Sequence, residues 1–297
     1  MVEHRFGGNW TQVKLERLRK YLSAYTTIFH ANERARFLKT VYVDAFAGTG
    51  YSAPATKPVA SEAELDLFPD LAEQEAQEFL KGSAQIALDV EPTFDRYVFV
   101  EKEAEYAAEL HRLKGLHRNS EQNIEIVQGD ARTFLPHWCE EQDWKKTRAV
   151  VFLDPYSSQA DWATIKAVAE GQVDLWILWP IGQVINRLLT TKSLPPPKWG
   201  DALTRAFGTD DWKNRFYAPP SQLGLFGEHR SDDVIKIADF KEIERFFVER
   251  LETIFEKEGV ARNPLYLYNS QNTPLYLLCF AAHNKTAVKI AQDILRP

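Results

Sequence analysis

Four short apolar runs, each stopped by a carboxylate, constrain this chain more than any other feature. They are VYVD ending at Asp44, RYVFVE ending at Glu101, IEIVQGD ending at Asp130 and AVVFLD ending at Asp154. Short runs rich in Val, Ile and Phe suit strands buried on both faces of a parallel sheet. Helical patterns lie between them, and strand alternating with helix implies a mainly parallel α/β sheet with helices on both faces. Ligands of such sheets bind beyond the carboxyl ends of the strands, where these acids fall.

The first run continues as VYVDAFAGTGYS, residues 41 to 52. Gly48 and Gly50 let the backbone approach a ligand closely, although a tight turn that binds nothing uses glycine for the same reason. The GxGxxG spacing of nicotinamide-binding loops is absent, since Ala53 stands three positions after Gly50 and Pro54 follows. Glu101 is placed to accept hydrogen bonds from both hydroxyls of a ribose. In the GDA turn Asp130 is placed to take the exocyclic amine of adenine, with Ala131 leaving room for the ring. Any one of these acids, taken alone, serves equally well as a helix cap.

The ordered set resembles the class I S-adenosylmethionine-dependent methyltransferases from Val41 to about Pro180. The resemblance implies a Rossmann-like fold with an antiparallel last strand, and S-adenosylmethionine as cofactor. It assigns the methionine and ribose end of the cofactor to Asp44, Phe46, Ala47, Gly48, Thr49 and Gly50. Ribose falls to Glu101, and adenine to Asp130 and Ala131.

FLDPYS, at the end of the fourth run, looks like the Asn/Asp-Pro-Pro-aromatic motif of enzymes that methylate exocyclic amines of adenine or cytosine. Such an amine is a poor nucleophile because its lone pair is delocalised into the ring. A carboxylate and a carbonyl accepting its two N–H bonds orient it, and an aromatic ring stacks on the base. The resemblance gives the accepting roles to Asp154 and the Pro155 carbonyl, and stacking to Tyr156. The sequence departs from the motif in having one proline, so Tyr156 stands where the second proline belongs and Ser157 where the aromatic belongs. A bland alternative makes Asp154 the cap of a helix starting near Asp161.

HRFGGNWTQVKLERLRKYLSAY, VDAFAGTG, GSAQIAL, YVFVEKE, FLDPYSSQADWATI and TPLYLLCFAAHN together resemble the three-Cys-motif partner proteins over nearly the whole chain. That resemblance implies a separate protein partner carrying a three-cysteine motif. The stretch containing His4, Gly7, Gly8, Asn9 and Lys14 is also similar to the segment preceding the sheet in some ribosomal RNA adenine-N6 methyltransferases. The likeness assigns Lys14 to the carboxylate of S-adenosylmethionine, while a solvated lysine on an amphipathic helix is the simpler alternative.

At 297 residues, 44% of them apolar, the chain is long enough for one enlarged domain. Its parts are a helical segment 1–40, a cofactor-binding core 41–181, an insertion 182–260 facing substrate or partner, and a closing hairpin with a C-terminal helix, 261–297. Helices are expected at 10–38, 83–90, 103–115, 182–190 and 239–258, strands at 41–45, 96–101, 123–127, 148–153 and 173–181. The segment before the fourth strand reads as a Trp-rich connection.

No run reaches the ~18 apolar residues of a membrane span, which gives the expectation of a cytoplasmic protein. Cys139 and Cys279 lack ligand spacing, so reduced thiols and no metal are expected. A net charge of -6 argues against wholesale binding to a polyanion. Much of the acid is local, however, in residues 61–80, and basic residues cluster near the start. Nucleic acid therefore stays open as a partner. Trp199, Trp212, Phe216 and Tyr217 either receive an extruded base or pack in the interior.

Overall fold

The computed structural model describes residues 9–48, 82–116, 123–155, 161–219 and 234–296. Thr49, Gly50, Tyr156, Ser157, the HRFGGN start before Asn9 and the acidic stretch 61–80 lie outside them. The strands are β1 (Lys39–Asp44), β2 (Arg96–Glu101), β3 (Ile124–Gln128), β4 (Thr147–Leu153), β5 (Val173–Trp179), β6 (Tyr217–Ala218), β7 (Ile235–Lys236), β8 (Leu265–Tyr268) and β9 (Pro274–Ala282). The helices are α1 (Asn9–Ala31), α2 (Ser83–Asp89), α3 (Ala104–Leu116), α4 (Ala131–Glu141), α5 (Trp162–Ala169), α6 (Pro197–Phe207), α7 (Trp212–Phe216), α8 (Phe240–Phe255) and α9 (Lys285–Leu295).

Among the described residues, seven strands form one sheet in the order β3-β2-β1-β4-β5-β9-β8. The first five are mutually parallel, β9 runs antiparallel to β5, and β8 runs antiparallel to β9. The sheet is thus mainly parallel with one reversed strand, β9, next to its edge, in line with the α/β sheet expected from the sequence. Chain order turns back between β1 and β4, and such a switch point is where open α/β sheets form their ligand crevice, beyond the carboxyl ends of the strands.

Alternation along each strand sorts the core into two layers. Val41, Val43, Val98, Val151, Leu153 and Ile177 face the layer of α4 to α8. Tyr42, Tyr97, Phe99, Phe152, Trp176 and Phe280 face α1, α2, α3 and α9. Burying each of these large side chains contributes about 1.5–3 kcal/mol.

Helix α1 lies on the aromatic layer through Leu18, Tyr21, Leu22 and Tyr25, with Tyr21 edge-on to Trp176 at 5.2 Å. It ends at Ala31, short of the expected 38, because the Asn32 side chain accepts the Arg34 N–H at 2.9 Å and turns the chain. The Trp-rich connection is in fact the helix α4: Asp130 caps it, and Leu135, Trp138 and Cys139 bury one face despite Pro136 inside it. The helix expected at 182–190 is a π-helical turn, Ile181–Ile185, running into a single α-turn, Asn186–Leu188. Trp212, Phe216 and Tyr217 are buried in the core, with Trp212 Nε1 donating to Thr204 Oγ1 at 3.0 Å. They pack and are not open to a base. Cys139 and Cys279 are both buried free thiols. No described helix is long and apolar enough to cross a membrane.

Candidate functional site

The site is built at the point where the strand order turns back. Asp44 closes β1, and Asp154 follows β4 directly beside it, with Asp44 in register with Phe152. Both are buried, at 0% and 4% exposure. A buried carboxylate must be hydrogen-bonded or charge-paired to stay ionised, and the two meet that demand differently.

Asp44 is enclosed by its own turn. Tyr42 Oη donates to Oδ2 at 3.3 Å and the Phe46 N–H to Oδ1 at 3.4 Å. Burial pushes its carboxyl up to about 7, against the lowering effect of a Ser83 hydrogen bond, and the nearby Asp154 charge pushes the same way as burial. The side chain shapes the start of the glycine turn from beneath. Tyr42 shares its face two residues upstream, and Ser83 opens α2; neither stood out in the sequence.

The turn itself is pinned from the neighbouring strand. Gly48 adopts φ 58, a left-handed conformation suited to glycine, and its N–H donates to Glu101 Oε2 at 2.9 Å. Glu101 Oε1 accepts the Glu103 N–H at 2.8 Å. Burial raises the Glu101 carboxyl, opposed by those backbone donors. Glu101 is half-buried with further lone pairs on both oxygens, so it can also accept from a bound hydroxyl. Ala47 is buried and Phe46 half-buried against the valine layer.

Asp130 behaves as a cap. It accepts the Arg132 N–H at 2.9 Å and the Arg132 guanidinium at 3.1 and 2.7 Å, and Lys102 lies 3.7 Å away. The Arg132 hydrogen bonds hold its carboxyl down at about 2. Ala131 begins α4 fully buried.

Asp154 is no cap, because Asp161 caps α5 by accepting the Ala163 N–H at 2.9 Å. It pairs instead with a residue far away in sequence: Lys14 Nζ lies 2.5 Å from Asp154 Oδ2, with only 1% of the lysine exposed. Lys14 occupies the buried stripe of α1, one turn before Leu18, and Trp10 one turn earlier lies 5.5 Å from its ammonium. Trp10 in turn packs on Tyr276 of β9 at 5.0 Å, fixing the start of the helix over the crevice. Burial still raises the Asp154 carboxyl, and the Lys14 charge and hydrogen bond oppose it. The other oxygen, Oδ1, is buried and accepts no hydrogen bond among the described residues. Pro155 follows, also buried.

Asp44, Phe46, Ala47, Gly48, Glu101, Lys14, Asp154 and Pro155 thus gather at the carboxyl ends of β1, β2 and β4, with Asp130 and Ala131 beyond β3. Lys14 meets Asp154 at this edge instead of standing in solvent.

No family model matches this chain, and no curated protein matches it. Solved structures with loose similarity include the Legionella pneumophila protein LPL1258, at 16% identity and TM-score 0.41, covering 84% of this chain and 94% of that one. A putative methyltransferase, yhhF, from Escherichia coli is 14% identical with TM-score 0.30, covering 74% and 83%. The N-terminal domain of EvdMO1, solved with SAH and D-fucose, is 10% identical with TM-score 0.33, covering 95% and 84%. All three similarities are distant.

Proposed function

We propose that this chain is an S-adenosylmethionine-dependent methyltransferase that acts on an exocyclic amine of a nucleic-acid base. The observation that carries the reading is the buried Asp154 carboxylate, which gives one oxygen to Lys14 and, among the described residues, leaves the other unpartnered. A buried acceptor left unmatched costs about 1–3 kcal/mol, which an incoming N–H donor relieves.

The glycine turn, Glu101 and the Asp130–Ala131 corner are the residues that would hold the cofactor: Gly48 leaves room for its close approach, and Glu101 accepts from its ribose. Bound S-adenosylmethionine supplies an electrophilic methyl group on a sulfonium. Asp154 Oδ1 would accept one N–H of the acceptor amine and the Pro155 carbonyl the other, which would orient the nitrogen lone pair for attack. Lys14 holds Oδ2, fixing the plane of the carboxylate and keeping it charged. The amine proton lost on methylation leaves through Asp154, whose raised affinity for protons suits that task. Tyr156 remains the candidate for stacking.

A second reading rests on the ordered sequence likeness to the three-Cys-motif partner proteins: the same pocket serves a separate three-Cys-motif protein, with or without catalysis. Calorimetric titration of S-adenosylmethionine and S-adenosylhomocysteine into ligand-free protein, with Glu101→Ala alongside, tests the cofactor site. Labelled methyl transfer to extract separated into RNA, DNA, protein and small molecules tests the acceptor. Micromolar binding weakened by Glu101→Ala, with label in a nucleic-acid fraction, is expected. Label confined to protein or small molecules overturns the acceptor class. Absence of binding until the partner is added moves the assignment to the second reading.

A further inference from the structure

Several cations of the insertion are paired with acids. Arg215 pairs with Glu242 and Glu249, and Lys213 with Asp210 at 3.3 Å. Lys236 is different. It is half-buried, and its Nζ donates to the neutral Asn186 Oδ1 at 2.6 Å with no carboxylate partner among the described residues. Burial alone shifts this ammonium toward its neutral form, with no opposing acid. Removing an ammonium from water is unfavourable unless an anion compensates it.

Its position is defined by the fold. Asn186 immediately follows the π-helical turn Ile181–Ile185 that leaves the carboxyl end of β5, and β5 pairs with β4, the strand that leads to Asp154. The Lys236 N–H donates to the Thr191 carbonyl at 2.9 Å, and Tyr217 Oη donates to the Thr190 carbonyl at 2.9 Å, so β6 and β7 clamp the 190s loop to this edge. Residues 175–200 contain no Asp or Glu but carry Arg187, Lys192 and Lys198, all on the surface. In a chain of net charge -6 this is a local basic rim.

We infer that Lys236, held by Asn186 and flanked by the acid-free 190s loop, is a phosphate-binding subsite that seats the backbone of a single-stranded nucleic-acid acceptor while its base enters toward Asp154. The inference rests on the proposed methyltransferase reading and adds the polyanion to it. An ammonium keeps donors free after bonding one amide oxygen, which suits a phosphodiester oxygen. A single strand suits it because a base that reacts must leave its stack.

The test is fluorescence anisotropy of a labelled mixed-sequence single-stranded oligonucleotide with the full chain across a salt series, comparing wild type with Lys236→Gln, Lys236→Arg and Lys192→Gln. Lys236→Gln is expected to weaken binding several-fold at low salt and to flatten the slope of log K against log salt by about 0.7, one phosphate contact on a single strand. Lys236→Arg retains the slope. If Lys236→Gln does not fold, as its thermal midpoint reports, Lys192→Gln on the exposed loop is expected to flatten the slope alone. Unchanged affinity and slope in the folded variants, or no oligonucleotide binding by wild type, overturns the subsite. Cofactor titration and methyl transfer on the same preparations separate the two readings. Lys236-dependent binding without methyl transfer keeps the subsite and removes the enzyme assignment; transfer to another acceptor without oligonucleotide binding does the reverse.

Discussion

Lys14 and Asp154, separated by 140 positions, meet at 2.5 Å with both side chains nearly sealed from solvent. The pair joins the first helix to the strand that carries the proposed acceptor acid. Breaking a buried pair on one side leaves an uncompensated charge, which is far worse than removing both partners.

Lys14→Met should therefore destabilise the protein by about 3–5 kcal/mol, while Lys14→Met combined with Asp154→Leu should cost less than the single change. Urea unfolding of the single and double variants measures this. The single variant should also regain stability as pH is lowered, because burial raises the Asp154 carboxyl and without Lys14 nothing opposes its protonation. A double variant no more stable than Lys14→Met would mean that the unpaired Asp154 charge is not what destabilises the single variant.

Asp154→Asn should abolish methyl transfer and leave the affinity for S-adenosylmethionine within a few-fold of wild type. The amide offers the acceptor amine a weaker, neutral partner and cannot take its proton. Single-turnover transfer measured beside calorimetry separates the two effects. Turnover within about tenfold of wild type would remove Asp154 from the acceptor site.

Asp174, at the start of β5, accepts a hydrogen bond from Tyr21 Oη at 2.6 Å, and burial pushes its carboxyl up to about 7 against that bond. An acid whose folded pKa lies above its unfolded value of 3.8 contributes stability that is complete below that value. The contribution is lost as pH rises through about 7. Thermal midpoints of the wild type should therefore fall between pH 5 and 7.5 more steeply than those of Asp174→Asn. Parallel profiles would show that Asp174 does not titrate in this window.

Gly182, in the π-helical turn, leaves no room for a side chain: a Cβ there would stand 1.8 Å from the Pro274 carbonyl oxygen. Gly182→Ala should cost at least about 1–3 kcal/mol, because the obstacle is backbone of β9 and the turn must shift. In contrast, Gly115 in α3 has nothing within 4 Å of the added atom, and Gly115→Ala should stabilise by about 0.5–1 kcal/mol. Urea midpoints of the two variants, side by side, check the sign of each effect.

Much of the frame was legible in the sequence. Strands β1, β2 and β4 fall within two residues of the expected bounds, because buried parallel strands are written as contiguous apolar runs. The closing hairpin expected within 261–297 is β8–β9, with β9 antiparallel to β5. The segment that reads as a Trp-rich connection is helix α4, whose cap at Asp130 and buried Leu135 and Trp138 sustain it with Pro136 inside. Aromatic residues of the insertion gave no indication of their fate, since Trp212 and Phe216 carry the same chemistry in a core as at a base.

The sequence by itself determined which strands form the main sheet, where their carboxylates stand and where glycine opens the first turn, because these are local consequences of apolar runs and backbone sterics. Tertiary structure alone decided that Lys14 turns inward to Asp154, that Asp130 spends both oxygens on Arg132, and that Lys236 loses water without gaining an acid among the described residues. Each of those outcomes depends on the desolvation and pairing of a charge, and both are set by neighbours that the strand order and helix packing bring together.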